Sequence, residues 1–307
     1  MNYEFVPISE QLDCGTRIHW DEATQKLYFV DLPNSTVYRY TPADKKLTKA
    51  KVGRYNEPLT FMFPVGGSET KFIAGIGRKF AFVEWDGESP EVPNYAVIAE
   101  VENEPELLKN RLNGGKVDPW GRLWAGTMGP EDGQGNVVPG KGSLYSVEKG
   151  RVTRQRSNVG ISNGLAWDTK KMKMYYCDTL EPKIFQYDIN NDGQISNEKV
   201  IFEFAKNNLE GKPDGLTIDK NGDLWLTSIF GSTLSKIDVA TGTIKEKITF
   251  PTPQITSVTF GGPKLDDLFV ATARLRVDGQ IPKAPAGTTY LIKSVGVAGF
   301  GGDKYKP

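Results

Sequence analysis

Asn113, Asn163 and Asp214 are the residues of this chain best placed to do chemistry together. Each is followed by Gly and stands five residues before an Asp (Asp118, Asp168, Asp219), and spacings of 50 and 51 residues separate them. The same register opens at Thr16, five residues before Asp21 and 97 residues before Asn113, which is about two such periods. Amide oxygens grouped with a carboxylate are oxygen ligands suited to a hard cation, calcium above all. Singly, Asn-Gly and Asp-Gly are ordinary turn pairs. Three of them at one phase of a repeat point to a functional cluster.

Such a cluster needs a repeat that turns equivalent residues toward one axis. A period of roughly 40–50 residues with strand-like content is what propeller blades produce. After Asp118 and Asp219 an Asp-x-x-Gly turn ends at Gly121 or Gly222, and the runs Leu123-Trp-Ala125 and Leu224-Trp-Leu226 have strand composition. Alternating strands follow at 142–147 and 233–237. Blade one extends from Thr16 to about Lys51 with 26–31 as its second strand, blade two begins near Thr60, and blade six near Thr256. A strand at 290–294 belongs to the last blade, and 3–7 pairs into it to close the ring. The expected fold is therefore all-β, a six-bladed β-propeller forming a single domain over residues 1–307. Thr16, Thr60, Asn113, Asn163, Asp214 and Thr256 should converge on its channel. Helical periodicity is scarce, with one short helix expected at 104–110. Two separate β-sandwiches would not explain why the register persists through the middle of the chain.

Bulk properties narrow the function. Lys plus Arg and Asp plus Glu number 38 each, so no net charge favours nucleic acid or an anionic membrane surface. The 38% hydrophobic and 25% charged content is that of a soluble globular protein, and no apolar stretch approaches the roughly 20 residues a membrane helix needs. Residues 1–7 lack a basic segment followed by an apolar one, and two distant cysteines, Cys14 and Cys177, suit a reducing compartment; the expected location is cytoplasmic. A single histidine, His19, excludes zinc sites built on several histidines, and its place inside a repeat strand gives it a packing role. Asp188-Ile-Asn-Asn-Asp192-Gly193 resembles the opening of an EF-hand loop. Position twelve would be Lys199 and flanking helices are lacking, so the segment reads as a polar hairpin turn. Residues 126–142 fit neither a phosphate loop nor a dinucleotide fingerprint and read as a long loop at the channel mouth, able to cover a ligand. Trp124, Trp167 and Trp225 recur with the strands and belong mostly to the core. The partner expected is a small-molecule ligand in the central channel, and a monomer is the default for a closed ring.

Five stretches carry a family resemblance: Arg111-Leu-Asn113-x-Gly-Lys-Val-Asp118-Pro, Ala125-Gly-Thr-Met128, Ile161-Ser-Asn163-Gly-Leu-x-Trp167, Pro213-Asp214-Gly and Ser257-Val-x-Phe-Gly-Gly262. From about Leu12 onward the chain resembles the regucalcin (senescence marker protein) family, which includes gluconolactonases and luciferin-regenerating enzymes, and within it the insect members above all. The resemblance implies a six-bladed propeller whose axial divalent metal is held by a Glu, an Asn and an Asp. It also implies hydrolysis of lactones or related esters, or conversion of a nitrile to an acid. Carried over by position, Asn163 and Asp214 match metal ligands, and Asp214 is also the catalytic general base. Arg111 and Asn113 match substrate-contacting residues, and Glu131 falls near another such position.

Two departures matter. The family's metal-binding Glu falls at Thr16, where Gly-Glu-x-Pro-x-Trp has become Gly15-Thr-Arg-Ile-His-Trp20, and the acidic residue usual after the substrate-contacting Asn is Gly114. One carboxylate in place of two weakens a calcium site. Arg17 deepens that deficit if it points inward, and Asp13 compensates only if its loop shifts. Two readings follow. One is a metal-dependent hydrolase of a small lactone or related carbonyl compound with a weakened site. The other is a small-molecule-binding, carrier or regulatory propeller without the calcium site, or one with a different, metal-free reaction.

Overall fold

A computed structural model of the chain describes residues 3–54, 57–132, 135–277 and 279–307. Among the described residues the strands form six sheets, each built from antiparallel strands running from the axis outward, and Glu91–Val92 adds in parallel to the outer edge of the first. The innermost strands, in order, are Gly15–Asp21, Leu59–Pro64, Arg111–Val117, Ser162–Asp168, Lys212–Ile218 and Ile255–Gly261. Blade three shows the pattern, running Arg111–Val117, Leu123–Met128, Gly142–Glu148 and Arg151–Val159 from inside to outside. The last blade borrows its outer strand from the start of the chain: Val6 pairs with Leu291 and Pro7 with Tyr290. Ring closure is thus as the sequence led us to expect.

The repeated Asp is explained by local hydrogen bonding. Asp118 Oδ1 accepts from the backbone amides of Trp120 and Arg122, and its Oδ2 accepts from Trp124 Nε1 at 2.9 Å. Asp219 repeats this with Asn221, Asp223 and, at 3.1 Å, Trp225 Nε1. The carboxylate shapes the turn after the innermost strand and fixes the indole of the next strand. Those indoles fill the spaces between blades: Trp124 packs beside Trp167, and Trp225 meets Phe260 edge-on. Every residue of Gly15–Asp21, Leu59–Pro64 and Ile255–Gly261 is buried, because each inner strand is covered by neighbouring blades.

Three local features bear on the sequence reading. The short helix expected at 104–110 is a single 3-10 turn, Pro105–Leu107. Asp188–Ile195 is a hairpin turn as expected, closed by Asn190 N donating to Gln194 O. The C-terminal residues form a strap across one end of the propeller that the sequence did not reveal. Gly299 N donates to Leu265 O, Gly302 N to Trp20 O, Tyr305 N to Pro64 O and Lys306 N to Gly121 O, which ties blades six, one, two and three together.

Candidate functional site

Each innermost strand slips register against its neighbour. In blades three, four and five the unpaired residues are Asn113-Gly114, Asn163-Gly164 and Asp214-Gly215. A bulge bends the strand and re-aims its side chain. Here it turns Asn113, Asn163 and Asp214 toward a common cavity. The glycines serve this arrangement and are not turn residues. A Cβ on Gly114 would lie 2.6 Å from Asn163 O, one on Gly164 2.6 Å from Asp214 O, and one on Gly215 2.6 Å from Ser257 Cα. Only a bare backbone lets successive bulges pack this closely around the axis.

Blade one breaks the pattern. Asp31 accepts from the amides of Asp13 and Cys14 just as Asp178 accepts from those of Gly160 and Ile161. This aligns Gly15 with Ser162, Thr16 with Asn163 and Arg17 with Gly164. Thr16 nevertheless stays paired with Val30, and the unpaired residues are Arg17 and Ile18. A side chain now stands where blade four has Gly164. Arg17 adopts a left-handed backbone (φ 53°), and the bulge moves along by one residue. The side chain delivered to the axis is therefore that of Arg17. Its Nε donates to Asn113 O at 3.1 Å, and its Nη1 lies 3.5 Å from Asp214 Oδ1. Arg17 is 7% exposed and Asp214 6%.

Burial dominates the electrostatics. It pushes the Asp214 carboxyl up to about 7, with Arg17 opposing that rise. It lowers Arg17 from the usual guanidinium value, with Asp214 pulling it back, and the guanidinium keeps its charge. The thiol of Cys14, also on the cavity wall, is pushed by burial up to about 12, so it offers no thiolate nucleophile at neutral pH.

Asn163 is held in one orientation. Its Nδ2 donates to Thr179 Oγ1 at 2.6 Å, and Thr179 donates on to Pro213 O at 2.8 Å. Asn163 Oδ1 is left buried with no hydrogen-bond partner among the described residues, as is Asp214 Oδ1 apart from its longer ion pair. Arg111 is gripped at two points, Nη1 to Asn113 Oδ1 at 2.9 Å and Nη2 to Glu131 Oε1 at 3.0 Å. Asn113 Nδ2 donates to Ser162 O, so the whole Asn113 side chain is engaged. Arg111, Asn113 and Glu131 are thus brought together on one wall, with Asn113 and Glu131 aiming the guanidinium.

The cavity these residues share has a volume of about 570 Å³. Gly135, Asn136 and Val137 form part of its wall, and Ile161, Leu180 and Ile229 give it an apolar side. The loop expected over 126–142 is shorter, because Leu123–Met128 and Gly142–Glu148 are strands, and residues 133 and 134 within it lie outside the described residues. Thr16 and Thr256 also line it, Thr256 holding Gly15 O at 2.5 Å. Thr60 does not converge with them: its hydroxyl is bonded to Gly75 O at 3.1 Å, away from the cavity wall. His19 packs against Phe63 and the backbone at Gly302, and burial lowers its pKa to about 3.

Calcium takes six to eight oxygens, carboxylates prominent among them. Asn163 and Asp214 offer an amide oxygen and one carboxylate, and Thr16 adds no charge. Asp13 is turned away and paired with Arg274 at 2.9 Å. Among the described residues, no group of three or more His, Cys, Asp or Glu side chains could hold a metal. At a separation of about 4 Å and an effective dielectric of about 20, Arg17 would repel a dication by roughly 8 kcal/mol. The residues present do not fit such an ion while Arg17 faces Asp214.

A six-bladed ring with an axial, oxygen-lined cavity defines the class of this protein. The chain belongs to the SMP-30/Gluconolactonase/LRE-like family, whose profile matches residues 14–274. Regucalcin of Macaca fascicularis is 32% identical over 302 residues, covering 95% of each chain, and regucalcin of Homo sapiens matches to the same extent. Among solved structures, a luciferin-regenerating enzyme superposes with a TM-score of 0.92 at 36% identity over 100% of both chains. A calcium-binding regucalcin from Agrobacterium tumefaciens shares the fold, with a TM-score of 0.85 at 20% identity over 99% of this chain and 98% of its own.

Proposed function

We propose that this protein hydrolyses a small lactone or related carbonyl compound in the axial cavity. The observation that carries the reading is the buried Asp214 carboxyl, raised to about 7, in one cavity with Arg111 and the unpartnered oxygen of Asn163. A carboxylate near neutrality is suited to general base catalysis at working pH. The gluconolactonase and luciferin-regenerating names among its relatives support the same class of chemistry.

In the step proposed, Asp214 takes a proton from water as the water oxygen bonds to the substrate carbonyl carbon. Asn163 Oδ1 accepts the other water hydrogen and holds the nucleophile in line. Collapse breaks the ring carbon–oxygen bond, and the proton on Asp214 passes to the departing alkoxide. One water is consumed and nothing is oxidised. Arg111, steadied by Asn113 and Glu131, orients the substrate, while Ile161, Leu180 and Ile229 suit an apolar portion opposite the carbonyl. The calcium dependence implied by the family would require Arg17 to withdraw from Asp214, and no step here is assigned to an ion.

The test is turnover on a panel of aliphatic, aromatic and sugar lactones followed in a pH-stat. Asp214→Asn should lower kcat about 10²–10⁴-fold with ligand-induced thermal stabilisation retained. Saturable binding without turnover by the natural protein would replace the hydrolase with the carrier or regulator reading, which the engagement of Asp214 by Arg17 favours.

A further inference from the structure

We infer that Arg17 is the resident cation of this site, its guanidinium taking the charge-bearing place of a divalent ion beside Asn163 and Asp214. The inference does not depend on which reaction, if any, the cavity performs. Three independent features carry it. The blade-one bulge is displaced by one residue, so that Arg17 and not Thr16 leaves the ladder at the axis. The guanidinium is fixed at both ends, by Nε to Asn113 O at 3.1 Å and by Nη1 facing Asp214 Oδ1 at 3.5 Å, in surroundings that leave it 7% exposed. The oxygens a metal would use are preserved, with Asn163 Oδ1 presented by Thr179 and left without a partner. An acceptor pair has thus been kept while the cation has become part of the chain. A fixed guanidinium, planar and always charged, can donate to the oxygen of a bound carbonyl or carboxylate. The ligand class indicated is a small molecule with such an oxygen at its inner end.

The experiment separates the roles of the two adjacent residues. Melting temperature and titration calorimetry are measured with calcium and with a chelator for the natural protein, Thr16→Glu, Arg17→Gly and the double variant. A ligand that binds only the folded state raises its stability in proportion to the logarithm of ligand concentration over Kd. The natural protein and Thr16→Glu should show no saturable response, because Arg17 still faces Asp214. The double variant, with a second carboxylate and the glycine found in blades three to five, should gain one. Saturable stabilisation of the natural protein by calcium, reversed by the chelator, overturns the inference. So does full calcium binding by Thr16→Glu alone. Should the double variant not fold, the natural protein and Thr16→Glu still decide. Absence of lactone turnover would remove the hydrolase reading and leave this one standing, whereas calcium binding by the natural protein would do the reverse.

Discussion

Thr179 Oγ1 accepts the amide of Asn163 at 2.6 Å and donates to Pro213 O at 2.8 Å, so one hydroxyl couples blade four to blade five at the cavity floor. Because that hydroxyl's proton is committed to Pro213, Thr179 can only accept from Asn163, and the Asn163 oxygen must face away from it. Thr179→Val should free the amide to turn its NH₂ toward the cavity. We expect kcat/KM on any lactone substrate to fall about tenfold, a loss of about 1.4 kcal/mol of transition-state stabilisation, with Thr179→Ser restoring most of it. Equal loss in both variants would show that the hydroxyl does not orient Asn163.

The Arg17–Asp214 pair makes a second prediction. Breaking a buried ion pair from one side strands the other charge and costs about 3–5 kcal/mol. Arg17→Met should therefore lower unfolding free energy by about 3 kcal/mol, since Asp214 can escape part of the penalty by taking up a proton. Arg17→Met combined with Asp214→Asn should recover most of that loss. A denaturant double-mutant cycle measures the coupling, and additive effects would mean that the two side chains do not interact.

The contrast between Asp118 and Arg17 shows what the sequence could and could not convey. Asp118 and Asp219 repeat because the same turn and the same indole require a carboxylate, so the period, the fold class and the phase of Asn113, Asn163 and Asp214 were all legible. Ring closure followed from the same pattern. Arg17 was foreseeable only as a condition. Its inward aim depends on a bulge displaced where the chain has a side chain in place of glycine, and a fixed five-residue spacing points to Thr16 instead. Thr60 and Thr256 occupy the same one-residue bulge and each bonds to a carbonyl of its own sheet, but only Thr256 also reaches Gly15 O in the next blade and lines the cavity, a difference the spacing does not carry. The C-terminal strap was hidden because irregular backbone hydrogen bonds leave no periodicity.

That strap supports a third prediction. Tyr305 is fully buried against blades two and three, and its backbone amide is bonded to Pro64 O at 3.0 Å. Truncating a buried aromatic to Ala costs about 3–5 kcal/mol. Tyr305→Ala should lower the unfolding free energy by that amount, read from the fall in denaturant midpoint times the slope m, while leaving KM unchanged at temperatures where the variant is folded, because the strap lines none of the cavity that holds Asp214. A midpoint within error of the natural protein would show that the strap is not part of the cooperative fold.

His19 supplies a fourth prediction, with a definite sign. Burial holds its folded-state pKa at about 3, against an ordinary value of 6.5; Asp21 opposes that depression, and Lys116 and Lys304 add to it. Between those limits the unfolded chain binds the proton and the folded chain does not. Unfolding free energy therefore falls as pH drops from about 6.5 toward 3. This one group should remove about 2 kcal/mol between pH 7 and pH 5. His19→Leu keeps an apolar side chain against Phe63 and Gly302 and deletes the proton-binding site, while Asp21, Lys116 and Lys304 remain. The stability difference between the natural protein and the variant should consequently shift by about 2 kcal/mol in the variant's favour across that interval. Urea unfolding at several pH values checks it, and a difference independent of pH would mean that His19 is not held neutral in the folded protein.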